Sequence, residues 1–113
     1  MYHSPIELIR HMLDEAVFIY SQTKHSSMRK FIDDEKLKRA VVRSLEIIGE
    51  ATKKLPEEFK GRYANIEWKS IAGMRDKLIH DYFGVDYEIV YDVAIHKVPA
   101  IIREFKAILA HEK

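Results

Sequence analysis

Apolar residues recur along this chain at intervals of three and four, the period of an amphipathic helix rather than the alternation of a strand. The first run opens at "SPIE". Ser4 is placed to cap, Pro5 takes the first helical position, where its missing N–H costs nothing, and Glu7 completes a capping box. Ile6, Ile9, Met12, Leu13, Ala16, Val17 and Tyr20 then form one stripe. The polar "SQTKHSS" interrupts it. A second helix is predicted from "DDE" to about Leu55, stopped by Pro56, with Leu37, Val41, Leu45, Ile48 and Ala51 facing inward. "PEEFKGRYANIEW" is a turn-rich connection with room for one helical turn after Pro56. A third helix is expected from Glu67 or Trp68 to Gly84. Asp86 caps a fourth stretch, which must kink or divide at Pro99, because Pro99 cannot donate to the Ile95 carbonyl and pushes Val98 away from the α region. With no strand pattern and no repeat, the expected fold is all-α, an antiparallel bundle of four to five helices.

The fourth stretch is unusually apolar. From Tyr87 to Leu109, fifteen of 23 residues are hydrophobic, wider than a single helix stripe. Two explanations offer themselves: burial against a second copy of the chain, or a helix sunk in the middle of its own bundle. The terminal position of the stretch in so small a protein favours the first, so a homodimer is expected.

Composition narrows the class. At 113 residues, with 47% hydrophobic and 33% charged residues, the chain is expected to fold as a single domain over residues 1–113. There is no cysteine, hence no disulfide and no thiolate metal site. "AVFIYSQT" falls far short of the ~20 apolar residues of a membrane span, and "MYHSPIE" has no signal-peptide pattern, so a cytoplasmic protein is expected. A net charge of +1 leaves any attraction to nucleic acid to local patches. One such concentration lies between Lys24 and Arg43, with seven basic residues against three acidic ones. Within it Arg39 and Arg43 recur at helical spacing and are candidates for an RNA path, beside the plainer reading of a solvated helix face.

The richest chemistry sits in "GMRDKLIHDYFG", residues 73–84, with the spacing R-x4-H-x-Y. At ~100° per residue, Arg75 and His80 point about 140° apart on a regular helix and are ~7.5 Å apart along its axis, whereas Arg75 and Tyr82 return to within about 20°. One straight helix therefore does not converge Arg75 and His80. Convergence needs a distortion near His80 or two copies of the motif facing each other across a two-fold axis. Two Arg, two His and two Tyr in one cleft would suit phosphodiester chemistry on RNA. Imidazole exchanges protons near neutral pH, and guanidinium forks onto phosphate oxygens. Spacing alone does not separate this from ordinary polar trim, since a lone His near a helix end is commonly a cap.

"RAVVRSLEIIGEATKKLPEEF" and "YANIEWKSIAGMRDKLIHDYFGVDYEIVYDVAIHKVPAI" carry further pattern: "IGEA", W-x-x-I-x-G-x-R, R-x4-H-x-Y and "FGVD". Together they closely resemble the HepT-like branch of the HEPN superfamily, the toxin half of type VII HEPN/MNT toxin–antitoxin pairs, from about Arg39 to the end of the chain. The resemblance implies a dimeric helical bundle with a metal-independent endoribonuclease site at the interface, and no cofactor. It implies Arg75 and His80 as catalytic residues. It implies Tyr82 as the tyrosine to which a minimal nucleotidyltransferase antitoxin adds AMP, silencing the toxin. Where family members often carry Asn after the motif Arg, this chain has Asp76, a supporting residue whose charge can orient Arg75 or raise the pKa of His80 but also opposes a phosphate. The alternative function is a non-catalytic helical dimer that serves as a binding module for the nucleotidyltransferase.

Other constellations point to structure. Glu7, His11 and Glu15 recur every four residues, a spacing open to a metal but more natural to a charge-paired surface. Glu46 and Glu50 lack the Glu-x-x-His partners of a di-iron bundle; Glu50 is expected to pair with a basic residue. No Gly-rich phosphate loop is present.

Overall fold

The computed structural model describes residues 3–78 and 84–112, except the side chain of Arg75. Eight helices are found among the described residues: α1 (Pro5–Thr23), α2 (Met28–Asp33), α3 (Glu35–Lys54), α4 (Glu57–Arg62), α5 (Trp68–Ala72), α6 (Met74–Leu78), α7 (Tyr87–His96) and α8 (Val98–His111). The all-α expectation holds. The count exceeds four or five because short helices fill the connections and two long elements divide.

The beginnings follow the sequence signals. Ser4 Oγ accepts from the Glu7 amide at 3.2 Å, capping α1 as expected, and donates to the Glu7 carboxylate at 3.3 Å, so the two residues pair through the Ser4 hydroxyl. Asp34 Oδ1 accepts from the Leu37 amide at 2.9 Å to start α3, and Asp86 Oδ1 accepts from the Ile89 amide at 3.2 Å to start α7. α7 and α8 part at Lys97, slightly before Pro99. Val98 is helical, and Pro99 sits in the first turn of α8, where an amide hydrogen would have no intrahelical acceptor.

α1, α3 and α8 form the core, with Ile9, Met12, Ala16 and Ile19 from α1, Val41, Leu45 and Ile48 from α3, and Val98, Ile101, Phe105 and Ile108 from α8 all buried. Val17 departs from the predicted stripe of α1: it is 42% exposed, and Leu8 and Ile19 take the interior instead. Trp68 of α5 stacks on Phe105 with ring centroids 6.2 Å apart, and its indole N–H is shared between the carbonyls of Lys60 and Tyr63 at 3.1 Å each. The threonines inside the bundle are satisfied locally. Thr23 and Thr52 each donate to the carbonyl one turn earlier at 2.7 Å.

The apolar excess of residues 87–109 is largely absorbed within the chain. Division at Lys97 lets α7 and α8 bury different faces, and Val90, Val93, Ala94, Val98, Ile101, Phe105 and Ile108 are all interior. Ile89, 45% exposed, is the stretch's one large exposed hydrophobic residue. Burial in the chain's own bundle therefore explains most of the pattern, and the homodimer rests on the resemblance.

Candidate functional site

The motif's first half is carried by α5 and α6. These are nearly one helix, interrupted at Gly73, whose amide donates to the Lys69 carbonyl at 2.9 Å and whose carbonyl accepts from the Lys77 amide at 3.2 Å. A Cβ at residue 73 would lie 3.2 Å from the Lys69 carbonyl oxygen, so glycine eases the close turn there. α6 is anchored by two side chains a turn apart, Met74 and Leu78, both buried. Asp76 and Lys77 consequently face outward. The backbone of Arg75 lies in the first turn of α6, next to the buried Met74.

His80 and Tyr82 lie outside the described residues, as does the side chain of Arg75, so the convergence of the three groups is not among the described features. The structure does give the frame that brackets them. The Asp86 amide donates to the Leu78 carbonyl at 3.2 Å, joining the end of α6 to the cap of α7 on either side of His80 and Tyr82 in the chain. One cap residue therefore serves two ends: its carboxylate starts α7 and its backbone N–H closes α6.

Beside α6 is a cavity of about 330 Å³ between α5–α6 and the α7–α8 junction, lined by Asn65, Glu67, Ser70, Met74, Lys97 and Glu104 among others. Partial burial pushes the Glu104 carboxyl above the usual carboxylate range, and the nearby Glu67 adds to the rise.

The two arginines proposed for an RNA path lie elsewhere, on α3, and both are near carboxylates. Arg39 Nη2 is 3.2 Å from Glu35 Oε1, and Arg43 Nη1 is 4.0 Å from Glu50 Oε1. The second contact is the partner expected for Glu50. At the start of α1, Glu7 is occupied by Ser4 and His3, the latter at 3.3 Å, rather than by a metal set with His11 and Glu15. Among the described residues no group of three or more His, Asp or Glu is placed to hold a metal ion.

A cluster with no signal in the sequence ties the last turn of α8 to the end of α4. The Tyr63 hydroxyl bonds to the Glu112 carboxylate and lies 2.9 Å from His111 Nδ1, while Arg62 Nη1 reaches the same carboxylate at 3.2 Å. The Tyr63 hydroxyl and the Arg62 guanidinium hold the Glu112 carboxyl below its ordinary range, against the opposing effect of burial. Loss of water around Tyr63, with the Glu112 carboxylate adding, pushes its phenol up. These partners lie 48 to 50 residues apart, so only the folded chain reveals them.

Among the described residues, no helix is long and apolar enough to cross a membrane. No solved structure matches the chain. Sequence relatives are close. A provisionally named RNase from Caldanaerobacter subterraneus subsp. tengcongensis is 46% identical over 110 residues, covering 97% of this chain and 98% of the relative. Another provisionally named RNase, from Methanocaldococcus jannaschii, is 46% identical over 98 residues, covering 87% and 81%. A provisionally named ribonuclease HepT from Thermococcus cleftensis is 42% identical over 84 residues, covering 74% and 76%. The family model described as ribonuclease HepT-like matches residues 7–108, a span that includes α6, the bracket from Leu78 to Asp86 and the whole R-x4-H-x-Y motif. With residues 7–108 matched and relatives 46% and 42% identical over most of both chains, the chain belongs to the HepT-like family of HEPN proteins.

Proposed function

We propose that the chain is a metal-independent endoribonuclease, the toxin of a type VII HEPN/MNT pair, acting as a homodimer of single HEPN domains in the cytoplasm. The observation that carries the reading is the family match across the entire motif, on a chain whose α6 sets Arg75 on a short helix anchored by Met74 and Leu78. In the proposed reaction His80 accepts the proton of an RNA 2′-hydroxyl, or delivers one to the departing 5′-oxygen. The 2′-oxygen bonds to phosphorus as the P–O5′ bond breaks, leaving a 2′,3′-cyclic phosphate and a 5′-hydroxyl. Arg75 neutralises the charge that gathers on the five-coordinate phosphorus. Asp76, exposed on α6 and next to Arg75 in the chain, is the supporting residue whose charge either orients Arg75 or opposes the phosphate, and Asp76→Asn decides between the two.

Tyr82 is the proposed acceptor of AMP from the nucleotidyltransferase antitoxin. The added nucleotide brings bulk and negative charge to a cleft built for a phosphate, which accounts for silencing.

Expression of the chain alone tests the reading. Growth arrest and RNA cleavage that persist in EDTA and vanish in His80→Ala are the expected outcome. If wild type and His80→Ala are equally harmless and purified protein leaves RNA intact, the chain is instead a binding module for the nucleotidyltransferase. Incubation with that partner and ATP is expected to add one AMP by intact mass, lost in Tyr82→Phe.

A further inference from the structure

A groove of about 390 Å³ runs between the second half of α1 and the first half of α8. Its floor is Val17, Tyr20, Pro99 and Ile102, and its rim carries Lys24, Arg103 and Lys106. No carboxylate lines it. All three cations are exposed, and among the described residues none of them forms an ion pair. Arg103 and Lys106 are three apart on α8 and so share a face. The acid nearest in sequence to Arg103 is Glu104, which does not line this groove, although the Arg103 guanidinium is near enough to favour its ionised form. On a chain of net charge +1, three exposed cations around one groove with no carboxylate in its lining form a local anion-attracting field.

We propose that this α1–α8 groove is a single-stranded RNA subsite, with Lys24, Arg103 and Lys106 contacting successive phosphates while bases lie against Tyr20, Pro99 and Ile102. The inference rests on the ribonuclease reading and extends it to a place where the substrate is held. An apolar floor with a cationic rim is the arrangement that single strands use, because every base presents a flat face and every linkage a charge. The apolar floor, with Tyr20 and Pro99 as flat faces for bases, favours RNA over an acidic protein segment. α8 is the wall shared by this groove and the cavity beside α6. That cavity also carries the carboxylates of Glu67 and Glu104, so the α1–α8 side is the flank of α8 where cations line a groove without acids. Arg39 and Arg43 make a weaker track, since each has a carboxylate within 4.0 Å.

The test is binding of a short fluorescein-labelled oligouridylate to the full chain, across a range of salt. Lys24→Ala/Arg103→Ala/Lys106→Ala is compared with Arg39→Ala/Arg43→Ala, in both the wild-type and the His80→Ala background. The triple variant is expected to bind at least tenfold more weakly. Its log Kd against log salt slope should flatten by about 2, from ~0.7 for each of three lost phosphate contacts. In cleavage its KM should rise while kcat is kept. The double variant, a weaker track, should lose clearly less affinity than the triple variant, about threefold at most. Because the three side chains are exposed, the circular dichroism spectrum and Tm should be unchanged; should the triple variant fail to fold, Lys106→Glu alone is measured in the same way. Equal effects of the triple and double variants overturn the subsite, as does displacement of the RNA by oligoglutamate of the same length, which would mark the groove as a dock for an acidic protein. In either case cleavage that dies with His80→Ala leaves the ribonuclease reading standing. Wild type that neither binds nor cuts RNA overturns both.

Discussion

Two parts of this molecule are built on opposite plans. α1, α3 and α8 are 19, 20 and 14 residues long and lock together through contiguous buried stripes. α5 and α6, which lead into the R-x4-H-x-Y motif, are five residues each, meet at a glycine, and α6 holds to the core by Met74 and Leu78. A five-residue helix has no stability of its own. Its conformation is lent by the surface it lies on and by the Asp86 to Leu78 hydrogen bond that closes its end. The contrast assigns rigidity to the scaffold and adjustability to the part that, in the ribonuclease reading, presents the reactive groups, which matches the way low-stability segments carry function elsewhere.

The largest expected break of this contrast is in the scaffold. Phe105 is fully buried under Trp68, so Phe105→Ala should cost about 3–5 kcal/mol and threaten the fold as a whole. Urea unfolding followed by circular dichroism measures it. Leu78→Ala, at a site just as buried, should cost less than the ~2–5 kcal/mol usual for Leu→Ala, because α6 can loosen without the core opening. Hydrogen exchange should then show faster exchange confined to α5 and α6, and cleavage should fall further than stability does. Uniform acceleration across α1, α3 and α8 would erase the distinction between the two regions.

The scaffold was also the more legible region. Ser4, Asp86, Pro56 and Pro99 announce helix boundaries because capping and proline chemistry are local, and Val41, Leu45, Ile48 and Ala51 lie in the core as their period requires. α2 was invisible because its surroundings are polar. It is secured by tertiary contact, with Phe31 buried against the Tyr91 ring at 5.6 Å and the Tyr91 hydroxyl donating to the Ser26 carbonyl. The break at Gly73 was hidden because one glycine in a helical pattern is usually tolerated. The motif residues could be named from their pattern, but patterns carry no information on which distant helices enclose a groove. Lys24 and Arg103 each look like solvated surface until α1 and α8 are laid side by side.

A substitution of small structural effect sharpens the comparison from the other side. Asp76 is exposed, so Asp76→Asn should change stability by no more than about 0.5 kcal/mol. In the ribonuclease reading it also removes a negative charge beside the phosphate-binding Arg75. Cleavage should therefore rise severalfold, with the gain shrinking as salt screens the field. A tenfold loss would instead make the Asp76 carboxylate a positive requirement for orienting Arg75.

The smallest effect concerns how far the scaffold's rigidity reaches along α8. Beyond the buried Ile108, its end is held by the cluster of Arg62, Tyr63, His111 and Glu112. The Glu112 carboxyl is held low, chiefly by the Tyr63 hydroxyl, so the folded state favours its ionised form. A depressed folded-state pKa contributes stability that is present above the ordinary carboxylate pKa and is lost as pH falls through the depressed value. The Tyr63 phenol has the opposite sign. Its folded-state pKa is raised, so its contribution is complete below the ordinary phenol pKa and fades only as pH rises through the raised value. The clasp should therefore hold through neutral pH and open at both extremes. Amide exchange in the last turn of α8 should quicken in acid well before α1 and α3 respond. Glu112→Gln should abolish that acid dependence while leaving global stability nearly unchanged, because a clasp at the margin of the bundle contributes little to the core. If acid instead loosens α8 along its full length in step with α1, the end of the helix is part of the scaffold's cooperative unit, and the division between rigid bundle and adjustable margin lies only at α5 and α6.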